Sequence, residues 1–338
     1  MKKLFLPIIC VLLVISCNNK PKGPDVSNIK IDLKLERFEK DFFSIDTNKI
    51  SENLTQLLTK YPGFYADFMQ GMLGINGDPS NLEEQAKVKE FYAAYKSFND
   101  SLLIKYKSTT DVEKEIKNGL QHVKYYFPDY KIPGFITFLS TLDGPGVALT
   151  SNYIAIGLQQ YAGKDFVPYL DEEFQRLFPR YVSRRFDEEF IAANCMKAIA
   201  DELFPEQTIG KPLVEQMIEK GKQWYLVDLF LPNAADSVKT GYTKKQLDWC
   251  KKNEGEVWST IIKNEDLNSV NPTVIQTYIG EGPFTQGFSQ ENSPGNLGQW
   301  FGWQIVKKYA EKNPSLKPAD IMRTDARKIL DEAKYKPM

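Results

Sequence analysis

The chain has 338 residues, with 43 Lys and Arg against 44 Asp and Glu, and its formal charge of −1 is not concentrated in any basic segment. Nucleic acid is therefore excluded as a partner class. With 42% hydrophobic and 13% aromatic residues, a substantial core is expected, in one large domain or two small ones. The single histidine, His122, excludes a His–His metal site, a Ser–His–Asp triad and an H-E-x-x-H helix.

The first 17 residues have the layout of a lipoprotein export signal. The apolar stretch Leu4–Ile15 is too short to span a bilayer, for which about 20 residues are needed. The run Val14-Ile15-Ser16-Cys17 resembles the bacterial lipobox, so 1–16 is predicted to be a cleaved signal peptide and Cys17 to carry acyl chains, palmitate among them. An ordinary signal peptide with a chance cysteine is the alternative. Residues 17–28, polar with Pro and Gly, are predicted to be a flexible tether with a reach of at most about 35–40 Å.

Apolar residues spaced three and four apart predict helices through most of 29–338. The first three predicted helices lie around Ile50–Leu58, ended by Pro62; from the Asn81 cap to about Tyr106; and from a Thr110–Glu113 capping box to Pro128. Two more begin near Asp187 and Lys211. The last three begin at a Thr243–Gln246 capping box, lie around Leu297–Tyr309, and begin at Pro318. In the third, His122 lies about 200° from the apolar residue Leu120, which predicts a solvated surface histidine.

Three β-rich runs interrupt the helical pattern. They are Ile136–Ser140, Val147–Leu149 and Tyr153–Gly157, and they predict a small sheet. No internal repeat or linker marks a boundary within 29–338, so we expect a single mainly α domain with a small β-sheet (α+β), although the length also permits two domains. Cys195 and Cys250 both fall on apolar helix stripes, where one disulfide and two buried free thiols are equally compatible with the pattern.

Chemistry-bearing motifs are few. Neither a P-loop nor a strand-linked G-x-G-x-x-G occurs, and no cofactor is indicated. Glu254 lies on an apolar stripe, where it needs either a hydrogen-bond partner or a raised pKa, and it is the one acidic candidate for a catalytic role. The tryptophans Trp249, Trp258, Trp300 and Trp303 fit core packing or a recognition surface. The loop from Gly280 to Pro294 is rich in Gly, Ser and Asn and is a candidate binding loop.

Several motifs resemble the gliding-motility lipoprotein family GldB of Bacteroidetes. They are Ile31–Phe43, Met217–Lys222 with Tyr225, Gly241-Tyr242-Thr243, Gln246–Cys250, Asn253-Glu254 with Trp258, Pro283-Phe284-Thr285, Ser293-Pro294-Gly295, Trp300–Val306 and Tyr335-Lys336-Pro337. The resemblance covers nearly the whole chain after Cys17. It implies a role in gliding motility and the associated type IX secretion machinery.

That family resembles, more distantly, predicted zinc peptidases of the gluzincin kind. In those proteins a strand precedes an H-E-x-x-H helix, and a later helix supplies a glutamate just before a glycine. Here Asn194–Ala200 has no histidine, and Lys220 precedes Gly221 with Glu219 displaced by one position. Since a lysine repels a dication, the resemblance implies a degenerate, metal-free zincin-like single domain.

The expected function is that of a non-catalytic pseudo-peptidase scaffold or binding subunit, partnered by the bilayer through Cys17 and by other gliding and type IX secretion envelope proteins. The candidate cleft or interface residues are Asn194, Glu219, Lys220, Gly221, Tyr225, Glu254, Trp258, Pro283, Phe284 and Trp303. Two alternatives stay open: a metal-free hydrolase of envelope peptide or glycan that uses Glu254, and a solute-binding lipoprotein. Asn18 is not the aspartate associated with inner-membrane retention, and the tether has no acidic export cluster, so the outer membrane, facing the periplasm, is the expected location.

Overall fold

A small mixed sheet lies among helices in the computed structural model, which describes residues 23–337. The predicted signal peptide and Cys17 lie outside the described residues. The strands are β1 (Leu35–Arg37), β2 (Gly134–Phe138), β3 (Val147–Leu149) and β4 (Tyr153–Gly157). Their order is β1-β2-β4-β3, with β1 and β4 parallel to β2, and β3 antiparallel to β4. The mainly α fold with a small sheet is thus confirmed.

The described helices account for most of the remaining chain. They are α1 (Phe38–Phe42), α2 (Ile50–Lys60), α3 (Tyr65–Asp67), α4 (Leu82–Lys105), α5 (Thr110–Tyr126), α6 (Glu172–Leu177), α7 (Arg180–Ser183), α8 (Ile191–Leu203), α9 (Leu213–Phe230), α10 (Asp236–Thr240), α11 (Lys244–Lys252), α12 (Glu254–Asn264), α13 (Pro272–Ile279), α14 (Leu297–Lys312), α15 (Pro318–Arg323) and α16 (Ala326–Ala333). Short 3-10 turns span Thr47–Lys49, Leu158–Gln160, Val167–Leu170 and Glu188–Phe190, and a π-helical turn spans Phe68–Met72.

The predicted helix caps have mixed outcomes. Asn81 accepts hydrogen bonds from the backbone N–H groups of Glu83 and Glu84, and the Thr243–Gln246 capping box is present. The Thr110–Glu113 box is wrong. The helix begins one residue earlier than that box requires, and the hydroxyl of Thr109 donates to the Glu113 carboxylate at 2.8 Å.

His122 is buried, with only 1% of its surface exposed, so the predicted surface position is wrong. Its Nδ1 lies 2.9 Å from the carbonyl oxygen of Asn118, and Gly23 lies against both Pro232 and the imidazole ring. Helix α5 contacts both α8 and α9. The sequence pattern predicts a single apolar face for α5. His122 lies outside that face and is buried because the N-terminal segment at Gly23 covers it.

The first hydrophobic core, here called the sheet core, surrounds β2 and β4. Aromatic rings fill it, with Phe38 in edge or tilted contact with Phe64 at 5.1 Å and Phe68 at 4.7 Å between ring centroids. Strand β1 is not among the strands predicted from the sequence, although Ile31, Leu33 and Leu35 alternate with polar residues in the segment that leads into it. Behind it, the Thr137 hydroxyl donates to the buried Glu39 carboxylate at 2.6 Å.

The second core, here called the helical core, is built from α9, α11, α12, α13, α14 and α16. Helix α9 joins the two cores. Its first half, including Met217 and Ile218, packs in the helical core, and its last turns, including Val227 and Phe230, pack in the sheet core. The tryptophans Trp258, Trp300 and Trp303 are buried in the helical core, which favours core packing over surface recognition. Cys195 and Cys250 are buried free thiols, one in each core.

Candidate functional site

The predicted cleft residue on α8, Asn194, lies beside the sheet. Its amide nitrogen donates to the Tyr161 hydroxyl at 2.9 Å, and its oxygen lies 3.5 Å from the Lys197 ammonium. Burial raises the pKa of the Tyr161 hydroxyl, which therefore stays protonated.

Glu219 and Lys220, which stand at the expected ligand position on α9, each form an ion pair with an oppositely charged side chain. Lys220 forms an ion pair with Glu206 at 2.6 Å. Glu219 lies 3.0 Å from the buried ammonium of Lys222 and 3.5 Å from Lys211. These contacts use both side chains to fix α9 within the fold.

Gly221 is needed for packing rather than for a ligand. A Cβ at this position would lie 2.1 Å from the carbonyl carbon of Gly302, and a Cβ at Gly302 would lie 1.6 Å from the carbonyl oxygen of Met217. Helices α9 and α14 therefore cross with their backbones in contact, which only glycine permits.

Glu254 and Trp258 lie together at the start of α12, against the C-terminal segment. The Tyr335 hydroxyl donates a short hydrogen bond to the Glu254 carboxylate, and the Trp258 ring lies 5.5 Å from that of Tyr335. Burial, and then this bond, raise the pKa of Tyr335. The half-buried acid thus has the hydrogen-bond partner that its position requires.

Of the remaining predicted residues, Trp303 packs edge-on against Trp224 and lies beneath the Lys307 ammonium, which is 3.8 Å from the ring centroid. Tyr225 is half-buried between the two cores, and burial raises its pKa to about 12.

Pro283 and Phe284 line an open cavity of about 580 Å³ beside α13. The structure thus brings Glu254 together with Trp258, and Pro283 together with Phe284. The other eight predicted residues do not line the cavity beside α13.

A different polar site, here called the cationic cleft, is lined by Arg184, Arg185 and Glu281, and the charges of Arg185 and Glu281 also act on Lys197. Arg185 pairs with both oxygens of the exposed Glu281 carboxylate, at 3.2 and 3.3 Å. Arg184 donates to the Gly241 carbonyl at 2.8 Å and lies 3.4 Å from the Gln246 side-chain oxygen. The cleft lining thus contains two guanidinium groups and one carboxylate.

The walls of the cationic cleft bring together motifs that are distant in sequence. The Tyr242 hydroxyl donates to the carbonyls of Gly295 and Asn296 at 3.1 and 3.2 Å. A Cβ at Gly295 would lie 2.2 Å from the Gly282 carbonyl oxygen, so two loop backbones cross in contact. Thr285 is fully buried, and its hydroxyl donates to the Pro294 carbonyl at 2.8 Å. The Gly280–Pro294 loop is therefore fixed at both ends, and Glu281 projects between two glycines.

The electrostatics of the cationic cleft favour an anion. Burial, and then the like charge of Arg185, lower the pKa of Arg184 and lower the pKa of Lys197 to about 8. The free space between the lining residues is about 10 Å³, room for roughly one water molecule. A planar guanidinium with bidentate geometry binds carboxylates, and here Glu281 of the same chain fills that role.

Arg184, Arg185 and Lys197 are not among the residues predicted from the sequence, and Glu281 is included only as part of the candidate loop Gly280 to Pro294. The adjacent arginines were a usable signal, since they stand directly before Phe186 and Asp187 at the start of a helical segment. Nothing local connects them to Glu281, which lies 96 positions away from Arg185.

Within residues 23–337, no three His, Cys, Asp or Glu side chains are grouped so as to hold a metal ion. Between Gly23 and Pro337, no helix is both long and apolar enough to cross a membrane.

The fold and the cationic cleft define a mainly α domain with a small mixed sheet and an arginine-lined polar site. The family model of the gliding motility protein GldB matches residues 19–337. The chain therefore belongs to the GldB family and is a gliding-motility-related lipoprotein of the cell envelope. No curated protein and no solved structure matches it.

Proposed function

We propose that the chain is a non-catalytic binding subunit of the gliding and type IX secretion machinery, with its body held at the outer membrane, facing the periplasm, by acyl chains on Cys17. It binds a carboxylate-bearing segment of another envelope protein in the cationic cleft. The zincin-like ancestry expected from the resemblance belongs to the same proposal, with a fold kept after its chemistry was lost.

The observation that carries this proposal is the charge arrangement of the cationic cleft. Arg184 and Lys197 have no carboxylate within ion-pair distance in the described part of the chain, and both are half-buried. Among residues 23–337, the one acid that acts on both is Glu281, which has 54% of its side chain exposed, against 22% for its partner Arg185. A partner carboxylate can replace Glu281 at little net cost, because one bidentate pair is exchanged for another.

The residues at the expected peptidase positions support a non-catalytic role. Lys220 is paired with Glu206, Glu219 with Lys222, and Gly221 is in contact with Gly302. Each of these contacts stabilises the fold, and none presents a free acid or base to a substrate.

The test compares the two members of the Arg185–Glu281 pair in cells lacking the wild-type protein. Arg185→Gln should reduce motility and the yield of envelope proteins captured by crosslinking. Glu281→Gln should retain or raise that yield, because it removes the competing carboxylate. Arg180→Gln is the matched control, since Arg180 forms an exposed pair with Asp165 at 2.6 Å on the same segment.

If Arg185→Gln and Glu281→Gln impair capture equally while protein levels stay normal, the pair is purely structural and the proposal is wrong. Full motility in Arg185→Gln would also contradict it. Melting temperatures of the purified variants separate a loss of binding from a loss of fold.

The anchor is tested separately. Cys17→Ala should release an intact fold from the membrane fraction and abolish motility, because the binding subunit is no longer held at the envelope. A soluble variant that fully supports gliding would show that the anchor is not required.

A further inference from the structure

A cavity of about 730 Å³ forms an open groove between α5, α8 and the segment that follows α9. Its apolar lining is made of Ala192, Ala193, Leu231, Ala234, Ala235 and Val238. Small side chains dominate this floor, so an extended backbone can approach it closely. The volume is within the range of pockets that bind ligands, about 300–1,000 Å³.

The N-terminal segment of the domain reaches the mouth of this groove. Gly23 lies against Pro232 and His122, and the groove is lined by their chain neighbours Leu231 and Gln121. The Gln121 side-chain nitrogen donates to the Ile29 carbonyl at 2.7 Å, and Val26 is buried. The described part of the predicted tether, 23–28, is therefore packed on the domain instead of being free.

This packing shortens the remaining link. From Gly23 back to Cys17 there are six residue steps, which span at most about 20 Å when fully extended. Gly23 contacts Pro232 and His122, whose chain neighbours Leu231 and Gln121 line the groove, so the segment 18–22 has the length to reach into it.

Both signs of charge line the groove. Glu115 and Glu189 share its lining with Lys114 and Lys117, and all four residues are exposed. The segment 18–22 is Asn-Asn-Lys-Pro-Lys, with two cations and no acid, so its lysines can pair with the two glutamates.

We propose that this groove is the docking site of the segment 18–22, with Lys20 and Lys22 beside Glu115 and Glu189. Because Cys17 precedes the docked segment directly, the α5–α8 face is then held against the bilayer. This orientation rests on the proposed lipid anchor, whereas the docking itself does not.

Zero-length carbodiimide crosslinking of the mature lipidated protein, read by mass spectrometry, tests the docking. We expect crosslinks within one chain from Lys20 or Lys22 to Glu115 or Glu189. Ala235→Trp fills the groove from an exposed position and should abolish them, and trypsin cleavage after Lys22 should become about tenfold faster as the segment is released. Val270→Trp, at an exposed position outside the groove, is the control and should change neither result.

Equal crosslinking and cleavage in wild-type and Ala235→Trp protein would overturn the proposal. Crosslinks found only between two copies would overturn docking within one chain and point to a second copy as the occupant. Neither result bears on the proposed partner binding, which the Arg185 and Glu281 variants test independently.

Discussion

The sheet core and the helical core reach close packing by opposite means. In the sheet core, large aromatic rings meet edge to face, and Phe38, Phe42, Phe64 and Phe68 are at most 1% exposed. In the helical core, the backbones of α9 and α14 touch through Gly221 and Gly302. A ring can rotate to relieve strain, whereas a helix backbone cannot, so the two cores should differ in what they tolerate.

The largest expected effect is from Gly302→Val. The new Cβ would lie 1.6 Å from the Met217 carbonyl oxygen, so the two helices must separate. We expect a loss of at least about 4 kcal/mol in the free energy of unfolding. All five tryptophans lie between Trp224 and Trp303, so urea unfolding followed by tryptophan fluorescence reports on this half of the chain.

Gly71→Ala is the control, because a Cβ there meets nothing within 4 Å. If Gly302→Val unfolded at the wild-type urea concentration, the crossing of α9 and α14 would be misplaced.

Next in size is Phe38→Ala in the sheet core. Its ring contacts those of Phe42, Tyr61, Phe64 and Phe68 at 4.7–5.8 Å between centroids. Loss of the ring should cost about 3–5 kcal/mol, and Phe38→Leu clearly less. Because α9 belongs to both cores, circular dichroism and tryptophan fluorescence should show one shared transition. Separate transitions would mean that α9 does not couple the two cores.

A smaller effect concerns the pH dependence of stability at Lys197 on α8. Burial, and then Arg185, lower the pKa of Lys197 to about 8, from 10.5 for a free lysine. Between about pH 8 and 10.5 the unfolded chain binds the proton and the folded chain does not, so stability rises with pH in this window.

Lys197 contributes at most about 1.4 kcal/mol per pH unit to this rise in the free energy of unfolding. Lys197→Met should remove it, and the difference between the two pH profiles of urea midpoints measures it. Parallel profiles for the two proteins would show that Lys197 stays charged.

The smallest expected effect is from Glu254→Gln in the helical core. The amide oxygen can still accept from Tyr335, so we expect a loss of less than about 1 kcal/mol, with Tyr335→Phe costing about 1 kcal/mol. Motility at a normal protein level should be unchanged. A motility defect in Glu254→Gln without a loss of stability would instead support the hydrolase alternative.

Sequence alone determined the features that depend on neighbours in the chain. The Asn81 cap, the Thr243–Gln246 box and strands β3 and β4 follow from residues a few positions apart, since caps and turns form locally. The lipobox is equally local, and it stays a prediction because Cys17 lies outside the described residues. Family motifs over nearly the whole chain agree with the match over residues 19–337.

Tertiary structure alone decided what distant segments do to one another. It paired β1 with β2 across about 100 positions, covered His122 with the segment at Gly23, and placed Glu281 against Arg185. It also turned Gly221 from a marker of a relict ligand site into a packing residue, because the reason for that glycine lies on α14. Periodicity and spacing record only the contacts that a segment makes within itself, so the cationic cleft, whose lining comes from four separate segments, leaves no such pattern.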